Sequence, residues 1–322
     1  MPTNTGSFAV YSQSQLEQYF QTIQLPTQCW PSKTPSFQPS LSFLSLLIRH
    51  QLSHVPFENL DLHYSPHRSV SLDPAHLFHK IVTRAAGRGG YCMQNNAFFA
   101  AILRSIGYTV TSAGARVSAD FTAEYPPYTG WAHQINLVTV ENSDEQKYLV
   151  DVGFGSDGPT FPVPLVEGFE RYLTGTSEKP VSSMCLTREN PFTTTNGFIQ
   201  NDEPDQRLWI FKVRYDHQDT AAAATTASFK PKYCFTQLEF LPQDFAVMNH
   251  HVSTARSSLF VNNVVCMKLL PNEDYSELIG DITLWGSEIK ERKMGSSRAL
   301  MQIQTEADRV TALREFLAVK LV

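Results

Sequence analysis

A glycine-rich stretch that ends in a cysteine places the strongest constraint on how this chain folds. Residues 87–92 read Gly-Arg-Gly-Gly-Tyr-Cys, and an apolar stripe with helical spacing follows at once. That stripe consists of Phe98, Phe99, Ile102, Leu103 and Ile106. Gly107 is placed to end the helix, since glycine adopts the left-handed conformation without a steric penalty. The pattern predicts that Cys92 lies at, or just before, the start of a helix.

Cys92 is a candidate nucleophile in this position. Unpaired N–H groups and the helix dipole favour a thiolate over a thiol, and the glycines let the backbone approach a ligand closely. Arg88 adds positive charge to the loop or forms an ion pair that fixes it. Two other interpretations stay open: a free cysteine is usually a buried structural residue, and glycine-rich loops also cradle phosphate. The GRGG order lacks the glycine spacing of the common phosphate-binding loops, so that last interpretation is weak.

Helical patterns precede the cysteine. Apolar residues recur at helical spacing within 16–23 and 41–48, and Asp73 followed by Pro74 is typical of a helix start, here predicted to continue to Thr83. β-branched and apolar residues then predict strands over 108–117, 134–140 and 148–152. This order predicts an α+β protein.

The second half of the chain has mixed patterns. Polar segments at 191–205 and 216–232 are expected to form long loops or insertions, strands are expected over 258–270, and a closing helix over 306–319. Helices, then strands, then mixed elements indicate about three lobes.

The predicted strands after the cysteine helix supply the base and the acid that a thiolate nucleophile requires. His133 alternates with apolar residues on one strand face, and Asp151 lies in an apolar strand, where a carboxylate needs a partner. A hairpin loop over 141–143 would place the two residues directly opposite each other, and a loop centred on Ser143 would leave them as diagonal neighbours. A loop centred between two residues would put them on opposite faces, so the register permits the pair without requiring it. Five other histidines have no evident acid partner and rank lower: His54, His63, His67, His76 and His79.

Composition limits the partners. The net charge of -5 and the pI near 6.1 give no reason to expect a nucleic acid or an anionic membrane surface. No basic and apolar leader is visible, and the longest apolar runs are too short to span a bilayer. Five scattered cysteines without a CxxC pair suggest neither zinc nor a disulfide framework, so a reduced, cytoplasmic protein without a metal is expected. Cys234 and Cys266 lie in apolar strand patterns and are expected to pack in the core.

Together these residues resemble the arylamine N-acetyltransferases, with the cysteine loop closest to fungal members. The matching stretches, in the family's order and spacing, are HVPFENLD at 54–61, RGGYC with its helix, TGWAH at 129–133 and VDVGFG at 150–155. Residues 245–260 resemble the family's third lobe. The resemblance implies a helical domain over 1–107, a β-barrel domain with polar insertions over 108–232 and an α/β lid over 233–322, around a papain-like Cys–His–Asp core.

The resemblance also implies a chemistry and a set of roles. Cys92, His133 and Asp151 would form the catalytic triad, in which Cys92 takes an acyl group from acyl-coenzyme A. It would then pass the group to an arylamine, arylhydrazine or N-hydroxyarylamine in a ping-pong cycle. Two further pairs carry over by position: Thr129 and Gly130 as coenzyme A contacts, and Phe57 and Phe154 as walls of the acceptor pocket. The resemblance also makes an ion pair between Arg88 and Glu58 plausible.

The sequence departs from the family at several positions. Gln94 stands where many bacterial members have Glu, and Ser156, Asp157 and Gly158 differ from the animal enzymes, so no acceptor preference is transferred. Acetyl-coenzyme A or a similarly short neutral donor is the expected co-substrate. Some fungal members prefer malonyl-coenzyme A, whose carboxylate would need a cation near Cys92. None of the nearest arginines decides the question: Arg84, Arg88, Arg104, which is expected to be solvated, and Arg116.

Rival functions share the same residues. A papain-like or transglutaminase-like thiol hydrolase would use this triad in the same chain order, and a non-catalytic binding module would keep the fold without the reaction. The expected partners are an acyl-coenzyme A and a small-molecule arylamine, with no nucleic acid and no membrane. The protein is expected to be a monomer or a weak dimer.

Overall fold

The computed structural model describes residues 11–140, 146–191, 206–216 and 228–321. The loop predicted at 141–143 lies outside the described residues. So does most of the two polar segments predicted at 191–205 and 216–232.

Five α-helices and one short strand form most of the N-terminal part of the described chain. They are α1 (Gln13–Thr22), α2 (Leu41–His54), β1 (Phe57–Glu58), α3 (Leu60–Tyr64), α4 (Pro74–Phe78) and α5 (Cys92–Ile106). Ser12 and Ser40 cap α1 and α2 by accepting hydrogen bonds from backbone N–H groups. Asp73 caps α4 in the same way, and the chain continues through a π-helical turn to Thr83, as the sequence pattern predicts. Gly107 ends α5 at a φ of 109°.

An eight-stranded, nearly closed barrel forms the middle of the protein. Its strands are β2 (Thr109–Val117), β3 (His133–Thr139), β4 (Lys147–Val150), β5 (Val163–Pro164), β6 (Phe169–Gly175), β7 (Pro180–Glu189), β8 (Leu208–Tyr215) and β9 (Lys230–Glu239). In the sheet they follow the order β5-β4-β3-β2-β9-β8-β7-β6. Alternate residues such as Ala115, Ile135 and Phe211 fill the interior. The three strands predicted after the cysteine helix are confirmed, although β4 ends at Val150 and Asp151 is the first residue beyond it.

The last barrel strand begins earlier than its polar sequence suggests. Residues 230–232 were expected to belong to a loop, but β9 starts at Lys230, and the domain boundary predicted between 232 and 233 falls inside this strand. Pro231 and the two flanking lysines gave no strand pattern because proline and lysine are uncommon in strands. The division into three domains stays a prediction.

The C-terminal part combines helices with a second sheet. Its elements are α6 (Pro242–Thr254), α7 (Leu259–Asn262), β10 (Val265–Pro271), β11 (Leu278–Trp285), β12 (Glu288–Lys293), β13 (Ser296–Gln302) and α8 (Glu306–Leu317). The strand predicted over 258–270 is wrong in its first part, because Ser258 caps the short helix α7 and β10 begins at Val265. The predicted closing helix is confirmed as α8.

The sheet of the C-terminal part includes a strand from the N-terminal part. Its order is β1-β10-β11-β12-β13, with Phe57 opposite Met267. The α+β architecture with a helical part, a barrel and an α/β part is therefore confirmed. In the described chain, no helix combines the length and apolar character needed to cross a bilayer.

Candidate active site

Cys92 is the first residue of α5, where the sequence places it. Tyr91 is the N-cap residue, and the cysteine side chain is 5% exposed. Its Sγ lies 3.7 Å from the carbonyl oxygen of Ala132, the residue before His133. The start of the helix thus meets the start of β3 at the sulfur.

His133 and Asp151 form a buried pair beside this sulfur. In the ladder between β3 and β4, Asn136 pairs with Val150 and Leu137 with Leu149. This register is the one that a loop centred on Ser143 predicts, so the histidine and the aspartate are diagonal neighbours. His133 Nε2 lies 2.7 Å from Asp151 Oδ2, and both side chains are almost fully buried.

The pair fixes the charge and orientation of the imidazole. Because Nε2 faces Asp151, Nδ1 is the ring nitrogen left for the sulfur of Cys92, which also hydrogen-bonds the ring. Burial disfavours the imidazolium, but the Asp151 carboxylate and the Cys92 sulfur outweigh it and raise the pKa of His133 to about 10. The site therefore favours a protonated histidine at neutral pH.

Asn96, which the sequence analysis missed, joins the three elements that carry these residues. It lies one turn after Cys92 on α5, and its Nδ2 donates to Asp151 Oδ1 at 2.8 Å and to the carbonyl of Gln134 at 2.6 Å. Its Oδ1 accepts from the N–H of Val152 at 3.0 Å. Spacing of four residues from a helical cysteine is the sequence signal that could have suggested it.

The helix and the acid segment also approach at Gly153. A Cβ atom there would lie 2.7 Å from the carbonyl oxygen of Cys92, closer than any real contact of that kind. The N–H of Gly153 donates to Asp151 Oδ1 at 2.9 Å. The glycine after the aspartate thus lets the acid segment rest on the first turn of α5.

Tyr233 is a second residue that local sequence patterns could not reveal. Its ring lies 5.3 Å from that of His133 and 4.8 Å from that of Phe154, between centroids. Burial and the nearby Asp151 carboxylate hold the pKa of Tyr233 well above its ordinary value. Its buried hydroxyl makes no hydrogen bond of normal geometry to a described group. The residue comes from β9, far from the triad along the chain, so only the pairing of β9 with β2 brings it here.

A buried cluster of four charges supports the cysteine loop. Arg88 contacts Glu58 at 3.1 Å and Asp61 at 2.7 Å, so the pair expected between Arg88 and Glu58 is confirmed. Lys80 contacts Glu58 at 3.0 Å and Asp61 at 2.6 Å. Gln94 accepts a hydrogen bond from Lys80 at 3.2 Å, so an amide completes the cluster without a third acid.

The residues predicted to bind ligands lie around this centre. Phe154 packs against His133 with 5.2 Å between ring centroids, and Phe57 contacts the apolar cluster that contains Cys92. Thr129 is held on β2 by two hydrogen bonds with Val117. Gly130 is exposed, and apart from its chain neighbours no described residue has an atom within 4 Å of where its Cβ would be. Their binding roles stay predictions.

The remaining four cysteines differ in their burial. Cys234 and Cys266 are fully buried in β9 and β10, as expected, and burial raises the pKa of Cys234 to about 12. Cys185 and Cys29 are partly exposed. Within the described ranges, no group of three or more His, Cys, Asp or Glu side chains is placed to hold a metal ion.

The comparisons with known proteins agree with this architecture. A family model described as N-acetyltransferase matches residues 40–322, and the protein is accordingly an acyltransferase. The chain belongs to the arylamine N-acetyltransferase family.

Relatives with sequence similarity cover most of the chain. The N-malonyltransferase FDB2 of Fusarium pseudograminearum is 36% identical over 326 residues, covering 97% of this chain and 90% of that protein. Human arylamine N-acetyltransferase 1 is 29% identical over 233 residues, covering 72% of each.

Solved structures support the fold. The arylamine N-acetyltransferase of Mycobacterium abscessus superposes with a TM-score of 0.71 at 21% identity, covering 96% of this chain and 90% of that one. The Mycobacterium marinum enzyme in complex with CoA gives a TM-score of 0.69 at 22% identity, covering 94% and 92%.

Proposed function

We propose that the protein transfers a short acyl group from acyl-coenzyme A to an arylamine, arylhydrazine or N-hydroxyarylamine through a thioacyl intermediate on Cys92. The observation that carries this proposal is the contact of 2.7 Å between His133 Nε2 and Asp151 Oδ2, buried beside the cysteine at the start of α5. Family membership supplies the acyl-transfer chemistry. The catalytic roles of the three residues are part of the proposal.

The first half-reaction loads the enzyme. The Cys92 thiolate attacks the thioester carbonyl, and the coenzyme A sulfur leaves as the C–S bond breaks. The imidazolium of His133 gives its Nδ1 proton to the departing sulfur, while Asp151 holds the ring through Nε2. One thioester is exchanged for another, so this step is nearly balanced in free energy.

The second half-reaction forms the amide. An aromatic amine of low basicity is neutral at pH 7 and attacks the thioacyl carbon with its lone pair. His133 Nδ1 takes the proton that the nitrogen loses, and Cys92 leaves as the thiolate. Amide formation is downhill, which drives the ping-pong cycle.

Two observations favour a transferase over the thiol hydrolase and the binding module. Cys92 and His133 are 5% and 2% exposed, which agrees with a site that limits the access of water. The chain also belongs to an acyltransferase family. A hydrolase would release coenzyme A thiol steadily without an amine, whereas the proposed transferase should stop after one turnover.

Acetyl-coenzyme A is the donor that we propose, as the usual donor of the family. Malonyl-coenzyme A is the second candidate, because the N-malonyltransferase FDB2 of Gibberella moniliformis is also 34% identical over 97% of this chain. The test compares the two thioesters at equal concentration with one arylamine, such as an anisidine, and quantifies the amide. A malonyl rate ten times the acetyl rate would overturn the acetyl proposal and leave the triad proposal standing.

Thr129 and Gly130 are proposed to contact coenzyme A, and Phe57 and Phe154 to line the acceptor pocket. All five cysteines are free, and we propose that the protein acts in the reducing cytoplasm. We also propose that it is a monomer or a weak dimer, which sedimentation velocity would test.

A further inference from the structure

Arg116 stacks on a residue of the Cys92 cluster, and its chain neighbour Val117 hydrogen-bonds the segment proposed to bind coenzyme A. On β2 Arg116 follows Ala115, and Ala115 pairs with His133 on β3. Its guanidinium carbon lies 4.4 Å from the centroid of the Trp131 ring. Trp131 packs against the apolar cluster that contains Cys92, and the next residue places its carbonyl oxygen 3.7 Å from the Cys92 sulfur.

Val117, which follows Arg116 in the chain, contacts Thr129, one of the two residues proposed to bind coenzyme A. The N–H of Val117 donates to Thr129 Oγ1 at 3.1 Å, and the N–H of Thr129 donates to the Val117 carbonyl at 2.9 Å. Gly130 follows with open space beside it. A donor that runs along Thr129 and Gly130 toward Cys92 would therefore pass Arg116 and Trp131.

The charge of Arg116 has no counterpart in the described part of the protein. The residue is half-buried, its Nε is buried without a hydrogen bond to any described group, and no described carboxylate lies within ion-pair distance. Other cations around the site have acids: Lys80 and Arg88 share Glu58 and Asp61, Lys232 contacts Asp157 at 2.8 Å, and Arg292 contacts Asp281 at 2.8 Å. A half-buried guanidinium without a carboxylate partner is unfavourable, and an anionic ligand beside its other nitrogens would balance the charge.

We propose that Arg116 binds an anionic group of the acyl-coenzyme A donor, held in place by stacking on Trp131. The inference rests on the proposed acyl transfer. A guanidinium presents two parallel N–H donors to either a phosphate or a carboxylate. In the donor, that oxyanion is a phosphate of coenzyme A or, if the acyl group is malonyl, its terminal carboxylate.

Three donors distinguish these sources. Acetyl-coenzyme A carries phosphates only, malonyl-coenzyme A carries phosphates and a carboxylate, and p-nitrophenyl acetate carries neither. The kcat/KM for acylation is measured with each donor for wild type and R116Q, which removes the charge. R116K keeps the charge but not the two-pronged donor geometry and should give an intermediate loss.

We expect R116Q to lose at least tenfold more kcat/KM with a coenzyme A donor than with p-nitrophenyl acetate. An equal excess loss with both thioesters assigns the contact to a phosphate, and an excess loss with malonyl-coenzyme A alone assigns it to the carboxylate. A similar loss with all three donors, or no loss with any, overturns the proposal. The matched control is R171Q, because the Arg171 guanidinium also lies 4.4 Å from an aromatic ring, that of Phe161, on a strand separated from β2 by three others. R171Q should leave the donor ratios unchanged.

A binding measurement separates this inference from the proposed function. The C92A variant cannot be acylated at that position. Calorimetry measures the Kd of coenzyme A and of malonyl-coenzyme A for C92A and for the double variant C92A/R116Q. A tenfold weaker Kd for at least one ligand supports the Arg116 site even if no acyl transfer occurs. Equal Kd values for both ligands overturn it even if transfer is active.

Discussion

The side-chain amide of Asn96 lies 2.8 Å from Asp151 Oδ1 and so ties the helix of the cysteine to the acid of the triad. The same side chain also contacts the backbone beside His133 and the backbone of Val152. One residue of the cysteine helix thus hydrogen-bonds both of the other segments on which the proposed chemistry depends.

Replacing Asn96 tests whether this link positions the triad. N96A leaves the buried groups around it without partners, which should cost about 1–3 kcal/mol of unfolding free energy. N96D is nearly isosteric but places a second carboxylate against Asp151, and should lower acyl transfer further than N96A while folding is retained. Urea unfolding and kcat/KM measured on both variants check this. Activity of N96D equal to that of wild type would show that the link has no catalytic consequence.

D151N should be far worse for activity than its small change in size suggests. A neutral amide no longer stabilises the imidazolium and can hold the wrong tautomer, for which a loss on the order of 10⁴-fold is known in a serine triad. Loss of the carboxylate should also lower the pKa of His133, since Asp151 is the main group that raises it. NMR titration of the imidazole measures this directly. An unshifted titration would show that Asp151 has only a structural role.

The raised pKa of His133 predicts the direction in which its contribution to the unfolding free energy changes with pH. Its folded pKa of about 10 exceeds the ordinary value near 6.5, so the imidazolium stabilises the fold fully below about pH 6.5. This contribution should be lost as the pH rises through about 10. The difference in unfolding free energy between wild type and H133Q should therefore shrink from pH 6 to pH 10. A difference that is constant or grows over that range contradicts the assignment.

The cluster of four charges that supports the cysteine loop should stabilise the protein only while its positive and negative charges balance. K80M leaves Glu58 and Asp61 with Arg88 alone, and an unbalanced buried charge of this kind costs about 3–5 kcal/mol. D61N should restore much of that loss when added to K80M, because the cluster is again neutral. Chemical unfolding of the two single variants and the double variant forms the cycle. Simple additivity would mean that Lys80 and Asp61 do not interact.

Much of the fold follows from local patterns, and the reasons are visible in particular residues. The start of α5 at Cys92 and its end at Gly107 depend on glycine chemistry and helical periodicity within a few residues. The strands that carry His133 and precede Asp151 are recognisable in the same way. The pairing of these strands was not predictable. A small change in the loop centre decides whether His133 and Asp151 are directly opposite, diagonal neighbours or on opposite faces.

Other features depend on contacts distant in sequence. Tyr233 reaches the triad only because β9 pairs with β2 in the sheet, and the polar residues at the start of β9 gave no strand pattern. Arg104 was expected in solvent, which is wrong. Its guanidinium donates to the Val110 carbonyl at 3.0 Å because α5 packs across β2. Helical periodicity predicts which face of α5 is apolar. It does not predict that a long side chain such as Arg104 reaches a backbone carbonyl of the neighbouring strand.

The most direct test of the proposed chemistry is the acyl-enzyme itself. Intact-protein and peptide mass spectrometry would follow the enzyme after mixing with acetyl-coenzyme A in the absence of an amine, with C92S and C266A as matched variants. We expect one acetyl group on Cys92 in wild type and C266A, none in C92S, and its removal when an arylamine is added. An acetyl group on another residue, or amide formation at the wild-type rate by C92S, would contradict the thioacyl mechanism.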